Sequence, residues 1–207
     1  CTTPASLCAT PASALRAFCD AVGITKTNSR KAIEELESYV RRDLNKTAQR
    51  RMAVLNPLKL VLTNWPVDEV GNPVVEHFEV TNNPENPDDG TRQVAFTGEL
   101  WIEADDFAEV PPPKFFRLSP GREVRLRGAY FVTATDVVKD AEGNVVQVNA
   151  TYDPESKGGN SPDGRKVKST MHWVSAPHAI GATVNLYDRL FSSEVPGGAS
   201  GEPLDDL

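Results

Sequence analysis

Between Lys114 and Arg127 lie five basic residues, Lys114, Arg117, Arg122, Arg125 and Arg127, against the single acid Glu123. Phe115 and Phe116 sit inside the Lys114–Arg117 bracket. Cations at this density hold phosphates, and an arginine fork reads base edges while an aromatic ring stacks on an unpaired base. The competing reading is that one phenylalanine belongs to a β core and the charges are only solvated. Catalytic chemistry is harder to find. His172 and His178 are separated by a Pro177 bend and do not share a helical face, so they form no metal-ligand pair. Lys157-Gly158-Gly159 lacks the spacing and the following helix of a phosphate loop, and no nucleophile elbow is present. Most carboxylates fall in turn-forming clusters or on the polar face of alternating segments. Cys1, Cys8 and Cys19 have no CxxC spacing, which argues against a disulfide framework or a zinc knuckle. The residues point to a binding module, with no catalytic and no metal-ligating set.

Charge is unevenly spread. The whole chain of 207 residues carries −7, yet residues 1–51 hold 9 Lys/Arg against 5 Asp/Glu, a local +4. A basic stripe on an acidic body is compatible with a polyanionic partner at one face. No apolar run approaches the roughly 18 residues a membrane helix needs, and the opening stretch lacks the pattern of a signal peptide. An intracellular, cytoplasmic setting is therefore expected.

These side chains need elements to position them. Thr10-Pro11 reads as an N-cap and first turn, Leu15, Phe18, Cys19 and Val22 follow helical spacing, and Gly23 supplies the stop. Ile33, Leu36, Val40 and Leu44 define a second helix, with Asn28 or Ser29 at its start and Arg41 and Arg42 in its last turn. From Arg51 the period changes to two. Strands are expected near 51–62, 74–80, 92–102, 114–118, 123–133, 145–151, 165–174 and 182–191, separated by Asn/Pro/Asp/Gly turns. Many strands without intervening helices indicate an antiparallel barrel or sandwich. Residues 192–207, rich in Gly, Pro and acid, read as linker.

Several runs carry a resemblance. Residues 90–102 (GTRQVAFTGELWI), 123–130 (EVRLRGAY), 163–168 (DGRKVK) and 172–179 (HWVSAPHA), closed by 186–191 (LYDRLF), resemble the anticodon-binding region of glutaminyl-tRNA synthetases. Residues 18–26 (FCDAVGITK) resemble the helical connector that precedes the barrels in that family. The resemblance spans roughly residues 9–200 in the family's order. The related glutamyl enzymes of eukaryotic and archaeal type share the architecture, and an unrelated β-sandwich binding protein or sugar is the alternative of a different class.

The resemblance implies a mainly β fold with an N-terminal helical segment. Residues 1–50 would be a helical connector subdomain, and residues 51–207 an antiparallel β-barrel anticodon-binding region, incomplete at the C-terminus. It implies tRNA for glutamine as partner, and in the full enzyme a monomeric ligase using glutamine and ATP with Mg. The HIGH-like and MSK-type motifs of its catalytic domain are not among these residues, so a fragment without cofactor, inactive alone, is expected. Site roles carry over as follows. Asn45 and Arg50 match positions contacting anticodon nucleotides, and Arg117 matches a base-reading arginine with Lys114 beside it. Arg125 and Arg127 match arginines near the first anticodon nucleotide, and Lys26 lies in the segment approaching the tRNA elbow. Three departures stand out: Phe116 replaces a lysine of bacterial relatives, Glu85 a familiar asparagine, and Gln49-Arg50-Arg51 a Pro-Arg-Ala pattern.

Overall fold

The computed structural model describes residues 10–26 and 31–186. Helix α1 (Ala12–Val22) starts from Pro11, not Thr10, and no side chain caps it. Gly23 ends it at φ 68°, a left-handed conformation suited to glycine, with its N–H on the Cys19 carbonyl at 2.9 Å. Helix α2 (Ile33–Thr47) has Ala32 at its N-cap; the expected caps Asn28 and Ser29 lie outside the described residues. It runs further than its apolar stripe suggested, so Lys46 occupies the last turn in place of Arg41 and Arg42. Ala14 is buried, Phe18 meets Tyr39 edge-on at 5.9 Å, and Ser13 donates to Asp43 Oδ1 at 2.7 Å. The stripe of α2 is only partly covered. Leu36, Val40 and Leu44 line a groove of about 530 Å³.

Among the described residues nine strands follow: β1 (Pro57–Leu62), β2 (Glu76–Thr81), β3 (Thr91–Phe96), β4 (Glu99–Glu103), β5 (Glu123–Leu126), β6 (Phe131–Lys139), β7 (Val145–Asp153), β8 (Thr170–Met171) and β9 (Val174–Ser175). Strands β2 and β3 form a separate hairpin; the others make one sheet in the order β8-β5-β6-β7-β1-β4-β9. Only His172 and Trp173 separate the strands at its two edges. The sheet must therefore curl until β8 lies parallel to β5 and β9 antiparallel to β4. The barrel remains incomplete along this seam, where each edge is held by two residue pairs. Trp173 fills the seam from inside, fully buried, with its indole N–H on the Arg127 carbonyl at 3.1 Å.

Alternation decides what faces the core. Leu58, Leu60 and Leu62 of β1 and Val124 and Leu126 of β5 point inward, joined by Phe96, Leu100, Ile102 and Met171. Trp65, Phe78, Phe96, Tyr130 and Trp173 form a ring cluster with centroids 4.7–6.5 Å apart. Phe131 is equally buried but belongs to the outer face, next to the inward Val132.

Several expectations need correcting. Residues 114–118 form no strand: Pro111-Pro112-Pro113 remove donors, and Lys114 adopts φ 66° in a turn. The segment 92–102 divides at Thr97-Gly98, because β3 pairs with β2 while β4 joins β1. The segment 123–133 divides at a tight turn through Gly128, at φ 68°. Residues 165–169 and 182–186 are irregular, and 187–191 lie outside the described residues. The sheet is also not wholly antiparallel, since β1 runs parallel to β7 and β5 to β8.

Candidate nucleic-acid interface

At the junction between α2 and the barrel, Arg50 and Asn45 meet: Arg50 Nη2 donates to Asn45 Oδ1 at 3.0 Å. The turn after β2 locks this junction. Asn83, fully buried, donates to the Lys46 carbonyl at 2.9 Å, and the Arg50 N–H donates to the Asn82 carbonyl at 2.6 Å. The Asn82 side-chain oxygen accepts from Arg51 Nη1 at 3.3 Å and from Arg92 Nη1 at 3.0 Å. Burial, and then the like charge of Arg51, hold the Arg92 guanidinium below its ordinary pKa. No spacing in the sequence joins Arg51 to Arg92; their convergence depends on Asn82 in the β2–β3 turn, 31 residues from Arg51 and 10 from Arg92.

The loop between β4 and β5 carries Lys114 and Arg117. Lys114 is exposed at the turn, Phe115 half-buried and Phe116 51% exposed. Arg122 donates to the Phe115 carbonyl and ties the loop down. Lys168 Nζ stands 5.2 Å from the Phe116 ring centroid, a cation over an exposed aromatic face. Arg117 Nη1 pairs with Asp106 Oδ1 at 3.0 Å. Burial raises the Asp106 carboxyl above the usual range, and the charge of Arg117 opposes that rise.

Strand β5 presents Arg125 outward by alternation, and Arg127 follows on the exposed turn. Their environments differ. Arg125 lies over the buried Phe131 ring at 5.3 Å, its Nε enclosed without a hydrogen-bond partner and its stem against Gly159. Arg165 lies 5.2 Å from the same ring. Arg165 is saturated by carboxylates: Glu123 at 2.8 Å through two nitrogens, Asp163 at 2.8 Å, and Asp153. These bonds, Glu123 first, raise its pKa, and among the described residues no ion pair joins those acids to Arg125.

The stretch 168–171 links two of the groups. Lys168 caps Phe116, while the Ser169 and Met171 carbonyls accept from the Arg125 and Arg127 N–H groups at 3.0 and 2.8 Å. This stretch thus meets both the loop that carries Lys114 and Arg117 and the strand end that carries Arg125 and Arg127. Among the described residues no hydrogen bond or ion pair joins them to the Asn45–Arg50 group. Lys26 is exposed beyond the end of α1. Lys168 and Asp106 were missed in sequence; Lys168 stood in a resembling run but carried no spacing signal toward Phe116. The arrangement offers exposed cations and one open ring face, which suits phosphates and splayed bases.

Comparison with known proteins places the chain in a family. A family model described as tRNA synthetases class I (E and Q), anti-codon binding domain, matches residues 48–153, and a second of the same description matches residues 170–204. A protein named Glutamine--tRNA ligase from Nitrobacter hamburgensis is 55% identical over 190 residues, 92% of this chain and 33% of the relative. Proteins of that name from Rhodopirellula baltica (52% over 195 residues, 93% of this chain, 32% of the relative) and Vibrio parahaemolyticus (50% over 190, 92% and 33%) are similar to it as well. The chain spans about a third of the length of these curated relatives. On the match of the first family model, which covers half of the sequence and most of the barrel, this chain belongs to the class I (E and Q) tRNA synthetase anticodon-binding domains.

Proposed function

We propose that this chain is the anticodon-binding part of a glutamine–tRNA ligase, an enzyme that joins glutamine to its tRNA with ATP in the cytoplasm. The observation that carries the reading is about half identity, over nine tenths of the chain, to relatives bearing that name. In this reading residues 1–50 are the end of the helical connector and residues 51–207 the anticodon-binding region. Arg117 reads a base edge with its planar fork, and Phe116 offers its ring to a neighbouring base under Lys168. Lys114, Arg125 and Arg127 supply charge along the backbone, Asn45 and Arg50 contact nucleotides from the helical side, and Lys26 faces the tRNA elbow.

The one glycine-rich stretch weighed for phosphates does not fit ATP. In the glycine-rich stretch, Lys157 is held by Glu76 at 2.7 Å, and a Cβ on Gly159 would lie 3.1 Å from Arg125 Cδ. ATP with Mg and glutamine belong to the other two thirds of a ligase of the relatives' length, acting as a monomer. The test is binding of this protein to tRNA for glutamine and to the same tRNA with a swapped anticodon. The cognate molecule is expected to bind at least about ten-fold more tightly, a difference typical of lost base-edge contacts. Equal affinity for both would sink the reading. Glutamine-dependent ATP–pyrophosphate exchange by these residues alone would equally contradict it.

A further inference from the structure

The Asn82 side-chain oxygen is the meeting point of two cations. Arg51 Nη1 lies 3.3 Å away and Arg92 Nη1 3.0 Å. Every acceptor recorded for these guanidiniums is neutral: Arg51 also donates to the Arg50 carbonyl at 3.0 Å and to Gln49 Oε1 at 2.5 Å. Among the described residues no ion pair joins a carboxylate to Arg92, and burial followed by the like charge of Arg51 lowers its pKa. Asp89 in this turn accepts from Asn86 Nδ2 through Oδ1 at 3.0 Å, and its Oδ2 is buried without a hydrogen-bond partner, bonded to neither arginine. Asn82 itself cannot turn away. It is buried, its Nδ2 donates to the Asp89 carbonyl at 2.9 Å, and its N–H donates to the Gly90 carbonyl at 3.0 Å.

Like charges held against one neutral oxygen, with Arg92 giving one hydrogen bond and Arg51 three of the five donors each carries, are an arrangement that an oxyanion completes. A lone carboxamide dipole satisfies hydrogen bonds but does not neutralise two charges. Where arginines serve only to pin two elements together, a carboxylate is the economical partner, and this molecule uses one elsewhere: Arg165 has Glu123, Asp153 and Asp163. Among the described residues no carboxylate bonds the two arginines of the Asn82 cluster.

We propose that Arg51 and Arg92, oriented by Asn82, form a phosphate site for the RNA backbone at the junction of helix and barrel. The inference rests on the proposed tRNA partner and adds a contact that neither Asn45 nor Arg50 supplies. Arg51 stands where the resembling family pattern has alanine, so the site is a feature of this sequence rather than of the family pattern. Its role is affinity without base selectivity, since phosphates are the same at every nucleotide.

Two variants of the whole protein test it. Arg51→Ala, at an exposed position, should weaken cognate and anticodon-swapped tRNA equally, by about ten-fold, and reduce the salt slope by roughly 0.7–0.9. Asn82→Asp supplies the missing counter-charge and should weaken tRNA likewise while leaving the melting temperature unchanged or higher. Inorganic phosphate, followed through the Arg51 and Arg92 side-chain Nε–H resonances, should shift both in the unaltered protein and neither in Asn82→Asp. If phosphate shifts both resonances but Arg51→Ala leaves tRNA affinity and slope unchanged, the site takes a free oxyanion and the RNA assignment is overturned. If tRNA binds with anticodon preference while neither resonance moves with either ligand, the site is refuted and the proposed function stands. If the unaltered protein binds no tRNA, the proposed function fails and the inference falls with it.

Discussion

Asp106 grips Arg117 by one nitrogen. Nη1 lies 3.0 Å from Oδ1, with the carboxylate side chain 11% exposed and the guanidinium side chain 47% exposed. The acid is sunk in the loop while the rest of the fork faces outward. One side of the guanidinium is therefore anchored, and its other donors are free for a base edge. Since Asp106 carries a desolvated charge, the pair serves orientation more than stability.

Replacing Arg117 should expose this role. Arg117→Ala is expected to cost about 1–3 kcal/mol of cognate tRNA binding and to relax anticodon selectivity. Arg117→Lys should recover little, because a point charge cannot replace a two-pronged donor. Asp106→Asn should lower selectivity more than affinity, since the cation stays but its direction is lost. Affinities for cognate and anticodon-swapped tRNA check all three. An equal loss on both tRNAs with Arg117→Ala would mark a phosphate clamp instead.

Arg127, exposed on the turn after β5, should behave as charge alone. Arg127→Ala is expected to weaken all tRNAs alike and to lower the salt slope by roughly one counterion-release unit. A salt series with two tRNAs decides it; a change confined to the cognate tRNA would assign base reading to Arg127.

Gly98 is where the barrel tolerates no side chain. A Cβ there would lie 2.8 Å from Trp65 Cβ, and Trp65 cannot swing aside because its Nε1 donates to the Val74 carbonyl at 2.8 Å. Gly98→Ala should destabilise by about 1–3 kcal/mol, the range for overpacking a filled core. Urea denaturation measures this, and an unchanged midpoint would show that the β3–β4 corner yields freely.

Asp163 sets an acid limit. Hydrogen bonds from Ser161 and then Arg165 lower its carboxyl to about 2, from an ordinary value of 3.8. A depressed folded pKa means the unfolded chain takes up the proton first, so stability is full above about pH 4 and declines as pH falls toward 2. Asp163→Asn should flatten the fall in melting temperature across that window. Parallel slopes in the variant and the parent would remove Asp163 from the acid response.

Much of this was legible one element at a time. Leu58, Leu60 and Leu62, and Val124 with Leu126, announce their strands because side-chain direction alternates with the backbone itself, whatever lies opposite. The helical stripes of α1 and α2, the basic stripe and the family runs are legible for the same reason: each is written within a few consecutive residues. The strand expected at 114–118 failed locally too, since three prolines outweigh two phenylalanines. What the tertiary structure alone decided is which cations are occupied. Arg117 finds Asp106, and Arg165 collects Glu123 from 42 residues away. Arg51 and Arg92 share Asn82, and among the described residues neither bonds a carboxylate. Likewise Phe131, apolar and buried, proves to lie outside the barrel under two guanidiniums. An ion pair forms where loops distant in sequence converge within about 4 Å, a distance that no spacing along the chain encodes.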